Sequence, residues 1–254
     1  MPSMNQLTES PRKDLDVFYV LDTSSSMSGE KINSLNHAMR DTTEKLKALA
    51  EKNGDAKLKI AVLEFNSGCD WVTDNGPEAM EDFTYEDLHA NGLTDMGAAL
   101  KELNSKLSRH AFLNSMTGAL MPVIIFMTDG YATDNYVGAL AEIRNNRWFK
   151  RATKIGFALG ADPDVKMISS VVGNSEAVLR TQNLDLFERL IRFVSVTSSM
   201  LVSQSATTKT AYKGVDIVKR VENLPSDAVV RLSKEEYDPE PEAVYDGDWD
   251  DSGW

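Results

Sequence analysis

The chain has 254 residues, 42% of them hydrophobic, a formal net charge of −12 and a single cysteine. That length suits one large α/β domain with extensions better than two full domains. The charge speaks against nucleic acid as a partner, because phosphate binding needs a basic surface, and one thiol excludes both an internal disulfide and a zinc site of several thiolates.

The acidity sits at one end. Beyond Lys234 there are nine acidic residues and no basic one, so taking those nine from −12 leaves the first 234 residues at −3. Residues 1–14 form a polar lead without the apolar core of a signal peptide. No apolar run reaches the roughly 18–20 residues of a membrane span. With Cys69 suited to a reducing compartment, the expectation is a soluble cytoplasmic protein.

Residues 16–21 predict a first strand, apolar on both faces like a central parallel strand covered by helices. It runs into Asp22-Thr23-Ser24-Ser25-Ser26, which places a carboxylate and two hydroxyls at alternate positions of one strand tip. Asp and Ser are also ordinary turn formers, so this stretch alone reads equally as a turn. Gly29 opens a helix carrying Ile32, Leu35, Met39, Leu46 and Leu49, and Asn53-Gly54-Asp55 stops it. Residues 57–65 predict the second strand. Residues 69–73, between Asn66-Ser67-Gly68 and Asp74-Asn75-Gly76, predict a short edge strand reached through a hairpin turn.

Residues 77–92 read as mostly irregular. After Gly92-Leu93-Thr94-Asp95 comes a helix marked by Met96, Leu100, Leu103 and Leu107. The clearest strand is Val123-Ile124-Ile125-Phe126-Met127, which ends in Thr128-Asp129-Gly130. A helix over 135–151, a strand over 155–159, a short helix over 165–172 and a weak strand over 177–180 follow. A long helix from Leu184 turns Phe187, Ile191 and Val194 inward. The organisation expected is a lead (1–14), a body (15–203) and an extension (204–254), within which 215–221 forms a short strand or helix. The end alternates Tyr245, Trp249 and Trp254 with acids, as a disordered solubilising tail or as a docking peptide.

Strands alternating with helices at this rhythm predict a doubly wound, mostly parallel sheet flanked by helices, with one short antiparallel edge strand. Such sheets bind ligands beyond the carboxyl ends of their strands, where the strand order reverses. Asp22 and Asp129 belong there, and the Thr94 loop reaches the same edge.

Three separated motifs, Asp22-x-Ser24-x-Ser26 after a strand, Thr94 before a helix and Thr128-Asp129-Gly130 after another strand, together resemble a von Willebrand factor A domain over roughly residues 15–203. The resemblance implies a metal-ion-dependent adhesion site with Asp22, Ser24, Ser26, Thr94 and Asp129 as ligands, the aspartates partly through water. An all-oxygen set with two carboxylates independently suits a hard cation, Mg²⁺ first, with Mn²⁺ or Ca²⁺ as alternatives. Leu21-Asp22-Thr23-Ser24-Ser25-Ser26-Met27 and the Thr94-Asp95-Met96-Gly97 loop are similar to bacterial cytoplasmic proteins of the tellurium-resistance and stress-response type, which implies a protein kinase or phosphatase as a partner. The cysteine-rich module of some of those proteins is absent from this chain.

The implied function is a non-enzymatic, metal-dependent adaptor or scaffold whose ion ligates an Asp or Glu of a protein partner. A Mg²⁺-dependent hydrolase or phosphotransferase and a structural assembly subunit with a static ion are the alternatives; the first lacks a recognisable nucleophile or base near the loop. The acidic tail is a further candidate to occupy the ion, in the same or a neighbouring molecule, and so to self-associate. Asp95 reads as a supporting residue or a cap of the helix after it, and Asp134 as a helix cap. Arg144, Arg147, Lys150, Arg151 and Lys154 read as a solvated basic face, or a docking patch for phosphate or acidic peptide. The hydroxyl-rich stretch 195–210 reads as a frayed helix end, or a phosphorylation region if a kinase is the partner.

Overall fold

The computed structural model describes residues 12–73, 76–208 and 213–221. Most of the 1–14 lead, Asp74, Asn75 and the acidic tail lie outside the described residues.

A central strand buried on both faces must be apolar at successive positions, and β1 (Lys13–Asp22) is buried from residue 14 onward. It pairs in parallel with β2 (Ala56–Asn66) on one side and β5 (Val123–Thr128) on the other. The parallel series continues through β6 (Thr153–Leu159) and β7 (Val178–Thr181). On the opposite edge, β3 (Gly68–Trp71) is antiparallel to β2, as expected. The two-residue β4 (Glu78–Ala79) also pairs antiparallel with β2, within a segment whose sequence carries no strand pattern. The sheet order is β3-β2-β1-β5-β6-β7. From β1 the chain moves outward to β2, then returns to β5 and moves the other way, so the reversal lies between β1 and β5.

Alternation along β1 sends Leu15, Val17, Tyr19 and Leu21 to one face of the sheet, and Phe18 and Val20 to the other. The first face is covered by α1 (Glu30–Lys52) and α6 (Leu184–Thr208), the second by α2 (Met96–Lys106), α3 (Tyr136–Ile143), α4 (Arg147–Arg151) and α5 (Val165–Val172). No helix among the described residues is long and apolar enough to cross a membrane.

Three local expectations are corrected. The helix expected over 135–151 is two helices. Asn146 interrupts it, because its side-chain oxygen accepts from the backbone N–H groups of Trp148 and Phe149 and starts a new N-terminus, the role Asn plays better than a helix interior. The stretch 195–210 is not frayed where it begins. Helix α6 runs unbroken to Thr208, with Ser195, Ser198, Ser199 and Ser203 buried, and the Ser203 hydroxyl accepts from Asn53 Nδ2 at 2.8 Å. Those four hydroxyls are closed to a kinase in the folded chain. Finally, Lys154 leaves the solvated basic face: its ammonium donates to Phe149 O at 2.7 Å over the Phe149 ring, and burial lowers its pKa to about 8, with Arg144 adding repulsion.

Residues 214–221 form a helix, α7 (Gly214–Val221). Ile217 and Val218 join the α1–α6 core, and a Cβ at Gly214 would lie 1.8 Å from Lys154 O, so only glycine admits this approach.

Candidate metal centre

Asp22 is the last residue of β1 and is buried. Its Oδ1 accepts from the Ser24 N–H at 2.8 Å, the short loop-back typical of Asp in a turn. Its Oδ2 accepts from Thr128 Oγ1 at 2.5 Å, across the β1–β5 junction. Burial raises the Asp22 pKa, the Thr128 and Ser24 hydrogen bonds oppose that rise, and the charge of Asp129 adds to it.

Both readings of the Asp-Ser-Ser stretch hold. It is a turn, with Ser25–Met27 forming one 3₁₀ turn, and it is an oxygen cluster. Ser24 Oγ and Ser26 Oγ are 2.9 Å apart, and Ser26 Oγ donates to Asp129 Oδ1 at 2.6 Å. A serine hydroxyl has one hydrogen; since Ser26 gives its own to Asp129, Ser24 is the donor to Ser26. Asp22, Ser24, Ser26 and Asp129 thus stand in one hydrogen-bonded run at the strand-order reversal.

The Thr94 loop is sewn onto this edge by its backbone. Ser25 N–H donates to Gly92 O, Asn91 N–H to Thr23 O, and Asp95 N–H to Asn66 O. Thr94 is buried; its N–H donates to Thr133 Oγ1 at 3.0 Å and its carbonyl accepts from Thr133 N–H at 2.9 Å. Among the described residues, no side-chain hydrogen bond joins Thr94 to the other four. The structure therefore links four of the five expected ligands directly and holds the fifth on an adjoining loop.

Asp95 does not cap the helix that follows it: its carboxylate accepts from Gly68 N–H at 2.9 Å and Thr133 Oγ1 at 2.9 Å, bracing the Thr94 loop. Asp134 is a cap, but of α2 rather than of the helix next in sequence, accepting from the N–H groups of Gly97 and Ala98, both at 2.9 Å. Gly97 permits this contact, since a Cβ there would lie 2.6 Å from Asp134 Oδ2.

Sequence reasoning missed Lys31. Its ammonium donates to Asp129 Oδ2 at 2.5 Å and to Ser26 O at 3.2 Å. A signal was present, because a lysine in the first turn of a helix opposes the helix dipole and calls for a nearby anion. Thr133 was missed too; nothing local marks it.

The donors fit a hard divalent cation. Two carboxylates bring charge, two or three neutral hydroxyls fill the set without excess charge, and oxygen is the only donor type. Among the described residues no three His, Cys, Asp or Glu side chains converge, so a metal site in this region would need hydroxyl, carbonyl or water oxygens beside its carboxylates.

Structural comparison finds the same fold at low sequence identity. Proximal thread matrix protein 1 from the mussel byssus is 16% identical, with a TM-score of 0.54 over 73% of this chain and 48% of that one. A second structure of it, at the same identity and TM-score over 74% and 48%, carries a zinc-occupied metal-ion-dependent adhesion motif. A von Willebrand factor type A protein from Catenulispora acidiphila (17%, TM-score 0.52, 73% and 43%) and the ArnB paralog VWA2 from Sulfolobus acidocaldarius (14%, TM-score 0.52, 71% and 44%) are alike in the same way. In each case the match spans less than half of the other chain. A search of curated proteins returns no match. The von Willebrand factor type A domain model matches residues 16–190, and the chain belongs to that family.

Proposed function

We propose that this chain is a non-catalytic protein-binding module whose switch-point edge holds a divalent cation, Mg²⁺ by preference, and recognises an acidic side chain of a protein partner through it. The hydrogen-bonded run Asp22–Ser24–Ser26–Asp129 carries this reading. Asp22, Ser24, Ser26 and Asp129 would hold the ion, with Thr94 as the fifth donor. When bound, the ion supplies an electrophilic position that an Asp or Glu oxygen can fill. The chain's own residues do the rest: Thr128 and the Ser24 N–H orient the Asp22 carboxylate, and Asp95 and Thr133 brace the Thr94 loop.

Exposed apolar side chains stand beside these ligands in sequence. Leu93 precedes Thr94 and Tyr131 follows Gly130, and each is 56% exposed. They favour a macromolecular partner over a small ion-pairing ligand. The zinc-occupied adhesion motif of the mussel matrix protein, a fold neighbour, supports a metal-held binding role. The sequence resemblance to stress-response and tellurium-resistance proteins supports a cytoplasmic adaptor with a protein kinase or phosphatase partner.

The test is capture of partners from the native host with and without EDTA, using the wild type and the Ser24→Ala, Ser26→Ala double variant. EDTA and the double variant should each abolish the same capture while the fold, read by circular dichroism, persists. Capture that survives both would end the proposal.

A further inference from the structure

Lys31 is the second residue of α1, where the partial positive charge of the helix end disfavours a cation. Its ammonium nonetheless turns onto the cluster, bridging Asp129 Oδ2 at 2.5 Å and Ser26 O at 3.2 Å. The Asp129 side chain is 0% exposed and that of Lys31 34% exposed, so one partner is fixed and the other has water beside it. The loop after β6 passes beside the lysine tip: a Cβ on Gly160 would lie 3.8 Å from Nζ, in ordinary contact.

We infer that Lys31 is a tethered cation that competes with the divalent ion for Asp129 and so weakens its binding. The inference rests on the metal-site reading above and adds a regulatory residue to it. Asp22 and Asp129 are both buried at the two ends of one hydrogen-bonded run, where like charges repel. A buried carboxylate without a partner is strongly disfavoured, and Lys31 supplies the missing charge. An ammonium and a divalent ion drawing on one carboxylate repel each other in turn. Lysine also suits a displaceable role, as a compact charge on a flexible four-carbon stem rather than a rigid bidentate fork. Metal affinity is therefore set below what the oxygen donors alone would give.

The experiment uses the full chain with Lys31→Met, Lys31→Gln and Lys31→Arg, titrating Mg²⁺ and Mn²⁺ by calorimetry at one pH and melting each protein in EDTA. The two neutral variants should bind metal about tenfold more tightly and melt lower in EDTA, whereas Lys31→Arg should stay within about threefold of the wild type in affinity. Two neutral variants guard against one failing to fold. Wild-type binding with no gain in either neutral variant, or an equal gain in Lys31→Arg, overturns the inference while leaving the metal site intact. No metal binding by any of the proteins, the wild type included, overturns the site reading and the inference with it.

Discussion

Strand β1 buries Asp14 and Asp16 toward its amino end and Asp22 at its carboxyl end, and Asp16 and Asp22 differ in what surrounds them. Asp22, at the carboxyl end, has both oxygens hydrogen-bonded and stands within a run of hydroxyls shared with Asp129. Asp16, six residues earlier, is 2% exposed, and its Oδ1 is buried without a hydrogen-bond partner. Burial raises its pKa to about 7, partly relieved by Lys59 and reinforced by Asp14. Burial alone thus makes a cost. Burial with convergent donors from separate loops makes a site, and the strand-order reversal is what lets the loops after β1 and β5 converge.

The largest effect expected from this contrast is at Asp16. Its folded pKa lies above the 3.8 of an ordinary Asp, so the folded chain holds a proton the unfolded chain releases. The associated stability is complete below about pH 4 and is lost as pH rises to about 7, at roughly 1.4 kcal/mol per pH unit within that window. Relative to Asp16→Asn, which does not titrate, the wild type should lose roughly 2–3 kcal/mol between pH 5 and pH 8. Urea unfolding followed by tryptophan fluorescence at both pH values measures the difference, and a constant gap would show that Asp16 is ionised throughout.

At the other end of the strand, Ser24→Ala with Ser26→Ala removes neutral donors and keeps both carboxylates. Metal affinity should fall on the order of a hundredfold, equivalent to about 2.7 kcal/mol. The thermal shift between EDTA and saturating Mg²⁺ should collapse, while the melting temperature in EDTA changes little.

A smaller effect is expected from Asp134→Ala. Losing the carboxylate that meets the Gly97 and Ala98 N–H groups should cost about 0.5–2 kcal/mol, the usual range for a lost N-terminal cap. Because α2 begins two residues after Thr94, metal affinity should weaken modestly as well. Unchanged stability in denaturant would show that α2 needs no cap from its neighbour. The smallest effect belongs to the exposed pair His37–Glu188, 2.7 Å apart. Glu188→Gln should alter stability by about 0.5 kcal/mol or less and leave metal titration unchanged, since exposed pairs contribute little.

Much of this was legible in sequence because it is written locally. Apolar runs of strand length that end in Asp22 and Thr128-Asp129 announce both the parallel sheet and the oxygens at its edge. The split at Asn146 was not legible, because the apolar spacing continues across it and the side chain that caps Trp148 and Phe149 is held in place by Asn104 and Leu107, 42 and 39 residues earlier. Nor was the burial of Ser195, Ser198, Ser199 and Ser203, since small hydroxyl residues suit a tight helix interface as well as a frayed end.

By itself the sequence determined the class of sheet and the oxygen-rich chemistry at its edge, because period, turn residues and donor type are properties of neighbouring residues. Tertiary structure alone decided which groups meet. Asp134 serves a helix 37 residues before it, and Lys31 closes on an aspartate 98 residues away. Such pairings follow from the reversal of strand order between β1 and β5, which brings distant loops to one edge, and no local pattern records it.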